Sequence, residues 1–161
     1  MTVAPQSTRV AAASPGEAIE ALRASGLRLS TPRRLVIEGL FAAPGPVSAS
    51  DLATKLSLDE SSVYRNLEVL ERHGLIHHVH LGHGAGLYAL VGRDDGEYLY
   101  CESCGKVTVL EPSRLEAVRV SIAEEFAHHA RFSHFAIVGL CDDCLGKSAA
   151  SAPRSGHAHP H

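Results

Sequence analysis

Every cysteine in the chain belongs to one of two C-x₂-C pairs, Cys101-Glu-Ser-Cys104 and Cys141-Asp-Asp-Cys144. Two thiolates at this spacing on a tight turn can bind one tetrahedral ion, and two such turns complete a Cys₄ shell. Gly105, directly after the second thiol, suits such a turn. The 36 residues between the pairs exceed the gap of common zinc ribbons. The pairs therefore come from separate elements, a first hairpin and the end of a last strand. A thioredoxin-like redox site needs only one pair, ahead of a helix in a βαβ pattern, and that pattern is absent. The reading is structural Zn²⁺ on Cys101, Cys104, Cys141 and Cys144, with no position left open for chemistry.

The periodicity divides the chain ahead of this site. From about residue 15 to 73 apolar residues recur at helical spacing. Ala18 and Leu22 mark a first helix that ends near Gly26. Thr31 reads as the cap of a second, with Pro32 in its first turn and Val36, Ile37, Leu40 and Phe41 along it. Ser48 begins a third with Leu52 and Leu56. Asp59 or Ser61 caps a fourth with Val63, Leu67 and Leu70, which Gly74 closes. After Gly74 the period becomes two, and Leu75–Leu81 and Leu87–Val91 read as strands. Three helices and a hairpin make the winged-helix plan. From Arg93 a second unit follows, with strands at Tyr98–Tyr100, Lys106–Leu110 and Phe132–Leu140. Between them lies a helix carrying Leu115, Val118, Ile122 and Phe126.

The expected fold class is therefore α+β, with an N-terminal winged helix-turn-helix domain and a small C-terminal α/β dimerisation domain. The expected borders are a flexible N-terminus over 1–14, the winged helix over 15–91, the zinc-containing domain over 92–146 and a disordered tail over 147–161. The second unit is too small to cover both faces of its sheet, so it calls for a second copy of the chain.

Charge sets limits on partners. The chain has 161 residues and a net charge of −3. Residues 1–91 carry eight Lys/Arg and eight Asp/Glu; residues 92–161 carry seven and ten. Contact with nucleic acid is thus expected from the first half only. Ser62, Tyr64, Arg65 and Asn66 lie near the start of the fourth helix, where a helix N-terminus enters the major groove. Arg65 can give two hydrogen bonds to a guanine, and Tyr64 can pack on a thymine methyl. Arg33 and Arg34 read as phosphate contacts. No apolar run approaches the length of a membrane span, and the first residues lack a signal-peptide core. A cytoplasmic location follows, where thiols stay reduced.

The chain also gathers imidazole. Four of its 11 histidines, His77, His78, His80 and His83, fall within seven residues. On a strand His78 and His80 point to one face and His77 to the other. Imidazole suits several transition metals, so ligand type alone does not choose among them.

Four segments together resemble the Fur family of metal-responsive bacterial transcription regulators. They are Leu22-Arg-Ala-Ser-Gly-Leu-Arg-Leu-Ser-Thr-Pro-Arg33, Ser62-Val-Tyr-Arg-Asn-Leu-Glu-Val-Leu70, Cys101-Glu-Ser-Cys-Gly-Lys-Val107 and Gly139-Leu-Cys-Asp-Asp-Cys144. The resemblance runs from about residue 17 to 146. It implies a homodimer on double-stranded DNA with two half-sites, and places Arg28 in the minor groove. His78-Val-His-Leu-Gly-His-Gly-Ala85 and His134-Phe-Ala-Ile-Val-Gly139 look most like the nickel-responsive branch, in which residues matching His78, His80 and His134 bind metal. That branch's nickel ligands are replaced here by Asp94, Gly96, Tyr98 and Pro46, and Ala89 stands where many relatives have a glutamate. Glu97 and Glu116 match carboxylate ligands of a neighbouring site, and either is expected to complete a shell with His78, His80 and His134. Zn²⁺ is the foremost candidate for this second metal, with Ni²⁺, Fe²⁺ or Mn²⁺ as alternatives.

The function expected is a metal-dependent DNA-binding regulator, a repressor, with a structural Zn–Cys₄ site and a regulatory metal joining the two domains. A thiol redox sensor using the Cys₄ site and a metal-independent regulator stay open as alternatives. No activated nucleophile or general base stands out, so an enzyme is not expected.

Overall fold

Four helices begin where short polar side chains can accept the first free N–H groups. The structure, a computed structural model, describes residues 8–81, 85–132 and 135–150. Helix α1 spans Pro15–Ala24, α2 Thr31–Ala42, α3 Ala49–Leu56 and α4 Glu60–Arg72. Their caps are Ser14, Ser30, Ser48 and Asp59, each accepting a backbone N–H three residues on. The cap of α2 is thus Ser30 rather than Thr31, which is already the first helical residue. Pro32 follows in the first turn, where its missing N–H is not needed.

Apolar stripes of these helices close on one core that includes Leu22, Ile37, Leu40, Leu52, Leu67 and Leu70. The wing follows as β1 (Ile76–Val79) and β2 (Leu87–Leu90), paired antiparallel with His78 opposite Tyr88. Val47, ahead of α3, bridges to Tyr88 as well.

The wing is buried on both faces. Ile76, Tyr88 and Leu90 face the helical core. Val79, Leu81, Leu87 and Ala89 form a second core with Tyr98, against which Tyr100, Val107 and Ala136 pack. The second unit therefore takes most of its buried apolar surface from the wing. Its sheet has the order β4-β3-β5, with β3 at Glu97–Cys101, β4 at Val107–Leu110 and β5 at Ile137–Gly139. Strand β3 runs antiparallel to β4 and parallel to β5. The crossover carries a 3₁₀ turn, Pro112–Leu115, and helix α5, Glu116–Phe126. A final helix, α6, spans Asp142–Ala150.

Three expectations change. The last strand is confined to Ile137–Gly139, not Phe132–Leu140. Residues 147–150, expected in the tail, belong to α6, which continues to Ala150; residues 151–161 lie outside the described residues. Residues 8–13 are not frayed. The Val10 N–H donates to the Gly74 carbonyl at 2.9 Å, Arg9 pairs with Asp95 at 2.7 Å, and Val10 and Ala12 pack on the helical core. Gly74 is required here twice over. Its φ is 76°, and a Cβ would fall 2.1 Å from the Thr8 carbonyl oxygen.

Helix α5 buries none of its residues, and Val118, Val120 and Phe126 stand exposed. No helix among the described residues is long and apolar enough to cross a membrane.

Candidate metal centre and nucleic-acid interface

The parallel pairing of β3 with β5 solves the problem of the long spacing between cysteine pairs. It sets Cys101 opposite Gly139, so the chain leaving β5 delivers Cys141 beside the first pair. Cys101 ends β3, and its carbonyl accepts from the Gly105 N–H at 2.8 Å. Gly105 takes a φ of 73°, which closes this turn. Cys141 precedes α6 and Cys144 lies in its first turn, where the Cys141 carbonyl accepts from Cys144 and Leu145. The Cys144 thiol accepts from Ser103, which lowers it, but the crowding Cys141, Cys104 and Cys101 sulfurs outweigh that and raise it to about 11.

All four sulfurs lie within 4.8 Å of one another. Cys104 Sγ and Cys141 Sγ are 3.8 Å apart. Zinc–sulfur bonds of ~2.3 Å in a tetrahedron place sulfurs about 3.8 Å apart, so the donor set fits zinc. A disulfide would need a separation of about 2.05 Å. Backbone N–H groups of Cys141 and Cys104 aim at the Cys101 sulfur and bring that thiol down to about 6.

The histidines form a second, looser grouping. His78 and His80 share a face of the wing, with ring centroids 4.4 Å apart. His78 stacks on Tyr88 at 4.9 Å and His80 on Phe135 at 5.4 Å. Desolvation, helped by the neighbouring His80, lowers the His78 pKa against the opposing pull of Glu71. A neutral imidazole is the form that binds metal. Here the two domains also touch through backbone: His80 bridges to Phe135, and its carbonyl accepts the Ala136 N–H at 3.1 Å. His134, the third expected donor, lies outside the described residues, as does His83.

The carboxylates expected to complete this shell are engaged elsewhere. Glu97 is buried and forms an ion pair with Arg119. Glu116 pairs with the same arginine at 3.1 Å. Among the described residues only the four cysteines bring three or more metal-donor side chains together. Glu97 and Glu116 thus belong to an arginine site within the second domain rather than to the histidine pair. The positions replacing nickel ligands have structural work. Asp94 accepts from the Leu90 N–H at 2.9 Å and pairs with Arg93 at 2.8 Å. The Tyr98 hydroxyl donates to the Asp94 carbonyl and lies 3.3 Å from His77 Nε2.

On the helix-turn-helix, Arg28, Tyr64 and Arg65 are exposed, and Ser62 is half-buried at the start of α4. Asn66 departs from expectation. It is buried, accepts from Arg33 Nε at 3.1 Å and donates to the Ser62 carbonyl at 2.9 Å. Arg33 also donates to the Arg28 carbonyl at 2.5 Å. Asn66 therefore locks α2 to α4 instead of reaching a base, because its position faces the core stripe of α4.

Sequence reasoning missed Gly86 and Arg119. A Cβ on Gly86 would lie 1.7 Å from His78 Nε2, so this glycine makes the space for the imidazole. The signal was available in part: in a hairpin, a glycine two residues before His78's partner Tyr88 sits across from His80. Arg119 had no such signal, since a lone arginine on a helix reads as a solvated face.

A helix-turn-helix domain family matches residues 29–79. The ferric uptake regulation protein of Neisseria meningitidis is 29% identical over 136 residues, covering 80% of this chain and 94% of that protein. The peroxide operon regulator of Bacillus subtilis is 26% identical over 136 residues, covering 81% and 93%. In fold the chain is similar to the ferric uptake regulator of Helicobacter pylori, with a TM-score of 0.66 and 20% identity, over 82% of this chain and 94% of that one.

Proposed function

The chain belongs to the Fur family of metal-responsive transcriptional regulators, and from that premise we propose how it couples metal to DNA. It is a metal-dependent DNA-binding regulator that works as a homodimer on double-stranded DNA. Zinc on Cys101, Cys104, Cys141 and Cys144 would tie β3 to α6 and supply folding free energy to the second domain. A second ion, on His78, His80 and His134, would join the end of the wing to the strand segment of the other domain. What supports this is one observation: His80 pairs through its backbone with Phe135, the residue following His134 in sequence. An ion at that junction sets the angle between the domains, and so the spacing of two α4 helices in a dimer. The metal needs to favour the competent arrangement by only a few kcal/mol to act as a switch.

At the DNA, Arg65 and Tyr64 would read base edges, Ser62 and Arg33 would meet phosphates, and Arg28 would enter the minor groove. The proposed role is that of a repressor in the cytoplasm rather than an enzyme, since zinc held by all four cysteines would leave no open coordination position. In the test, metal content per subunit is measured for wild type and for His78→Ala/His134→Ala. Wild type should hold two ions and the variant one, with DNA binding lost and the fold kept. Equal metal content in both would sink the bridge.

A second reading rests on the lowered Cys101 thiol and the exposure of Cys104. A peroxide able to oxidise these sulfurs would eject the zinc and release the dimer. Zinc and DNA binding that survive peroxide would exclude it.

A further inference from the structure

The arginine between Glu97 and Glu116 sits where a metal would be expected from the carboxylates alone. Arg119 Nη2 donates to Glu97 Oε1, and Nη1 donates to Glu116 Oε2 at 3.1 Å and to the Pro112 carbonyl at 2.9 Å. Its Cζ lies 5.6 Å from the centre of the Phe132 ring. The side chain is only 21% exposed, and that of Glu97 6%. Two carboxylates and a backbone carbonyl are the donors a hard divalent cation takes. A guanidinium offers one positive charge with directed N–H donors in place of an ion's two, never deprotonates and is covalently held. Glu97 Oε2 is buried and has no hydrogen-bond partner among the described residues, so one oxygen of the site still faces no donor.

We infer that Arg119 is a tethered cation occupying a latent divalent-metal site formed by Glu97, Glu116 and the Pro112 carbonyl. The clamp between β3 and the 3₁₀ turn leading into α5 is thereby permanent. It does not depend on metal supply, and the second domain does not compete with the histidine pair for a regulatory ion. This inference rests on the second domain alone and stands whether or not His78 and His80 bind metal.

The test uses full-length, zinc-loaded protein titrated with Mn²⁺, with free ion followed by electron paramagnetic resonance. Arg119→Met should bind one Mn²⁺ per subunit more than wild type, and adding Glu97→Gln to that variant should remove the extra ion. Wild type and Glu97→Gln/Glu116→Gln should bind equal amounts. A folded Arg119→Met that gains no ion overturns the inference. So does a wild-type ion that Glu97→Gln/Glu116→Gln loses, and this second comparison decides the matter if Arg119→Met does not fold.

Discussion

The helices of the first half and α5 of the second are built from similar amounts of apolar residue but treat them differently. Leu22, Val36, Ile37, Leu40, Val63, Leu67 and Leu70 are all essentially sealed from water. Helix α5 seals nothing, and its Phe126 is 67% exposed. The first half is held by apolar burial, at roughly 25 cal/mol per Å² removed from water. The second half borrows the wing's far face for its core, clusters its four sulfurs within 4.8 Å of one another, and leaves the apolar side chains of α5 exposed. A regulator gains from this division. Under the proposed function the half that reads DNA is closed by its own core and also carries His78 and His80, while the other half carries the Cys₄ cluster.

The sharpest way to break that comparison is to remove the zinc. Cys144→Ser should lose the ion and melt the second domain first, since structural zinc in small domains contributes on the order of 10 kcal/mol. Circular dichroism should then show two steps, with the helical half melting later. A single transition in the variant would mean the halves are one cooperative unit. A smaller effect is expected at the junction. Gly86→Ala would push the His78 ring away, so the histidine ion should be held at least ten-fold more weakly with the Cys₄ zinc unchanged. Metal competition against a chromophoric chelator reads both.

The smallest effect concerns Tyr98, whose ring joins the two halves. Burial, then the charges of Asp94 and Asp95, push its hydroxyl up to about 12. The folded state therefore holds this proton more tightly than the unfolded chain, whose tyrosines titrate near 10. The stability it contributes is present below pH ~10 and is lost as pH rises toward 12. An ultraviolet titration should show two of the four tyrosines raised, Tyr88 by its burial and Tyr98 further, with the Tyr98 step last and together with unfolding. In Tyr98→Phe that late step should vanish.

Much of this was legible in advance. Caps and apolar spacing located all four helices of the first half, and the switch to period two located the wing. The cysteine spacing alone required two separate turns to meet. The same pattern failed where the partner of a side chain is distant in sequence. Asn66 has the residue type of a base reader, yet its position on the buried stripe of α4 turns it to Arg33, 33 residues away. Glu97 and Glu116 have the residue type of ligands, yet Arg119 takes both. Helix α6 went unnoticed because Asp142–Ala150 is short and rich in small residues.

By itself, then, the sequence determined the local elements, the shared face of His78 and His80 and the paired-thiol chemistry of each C-x₂-C turn, since each depends on neighbours a few residues apart. Only the tertiary structure decided which charges meet. A carboxylate's partner is set by how the fold brings Arg119 of α5 to Glu97 of β3, and Coulomb attraction acts on distance in space, not along the chain.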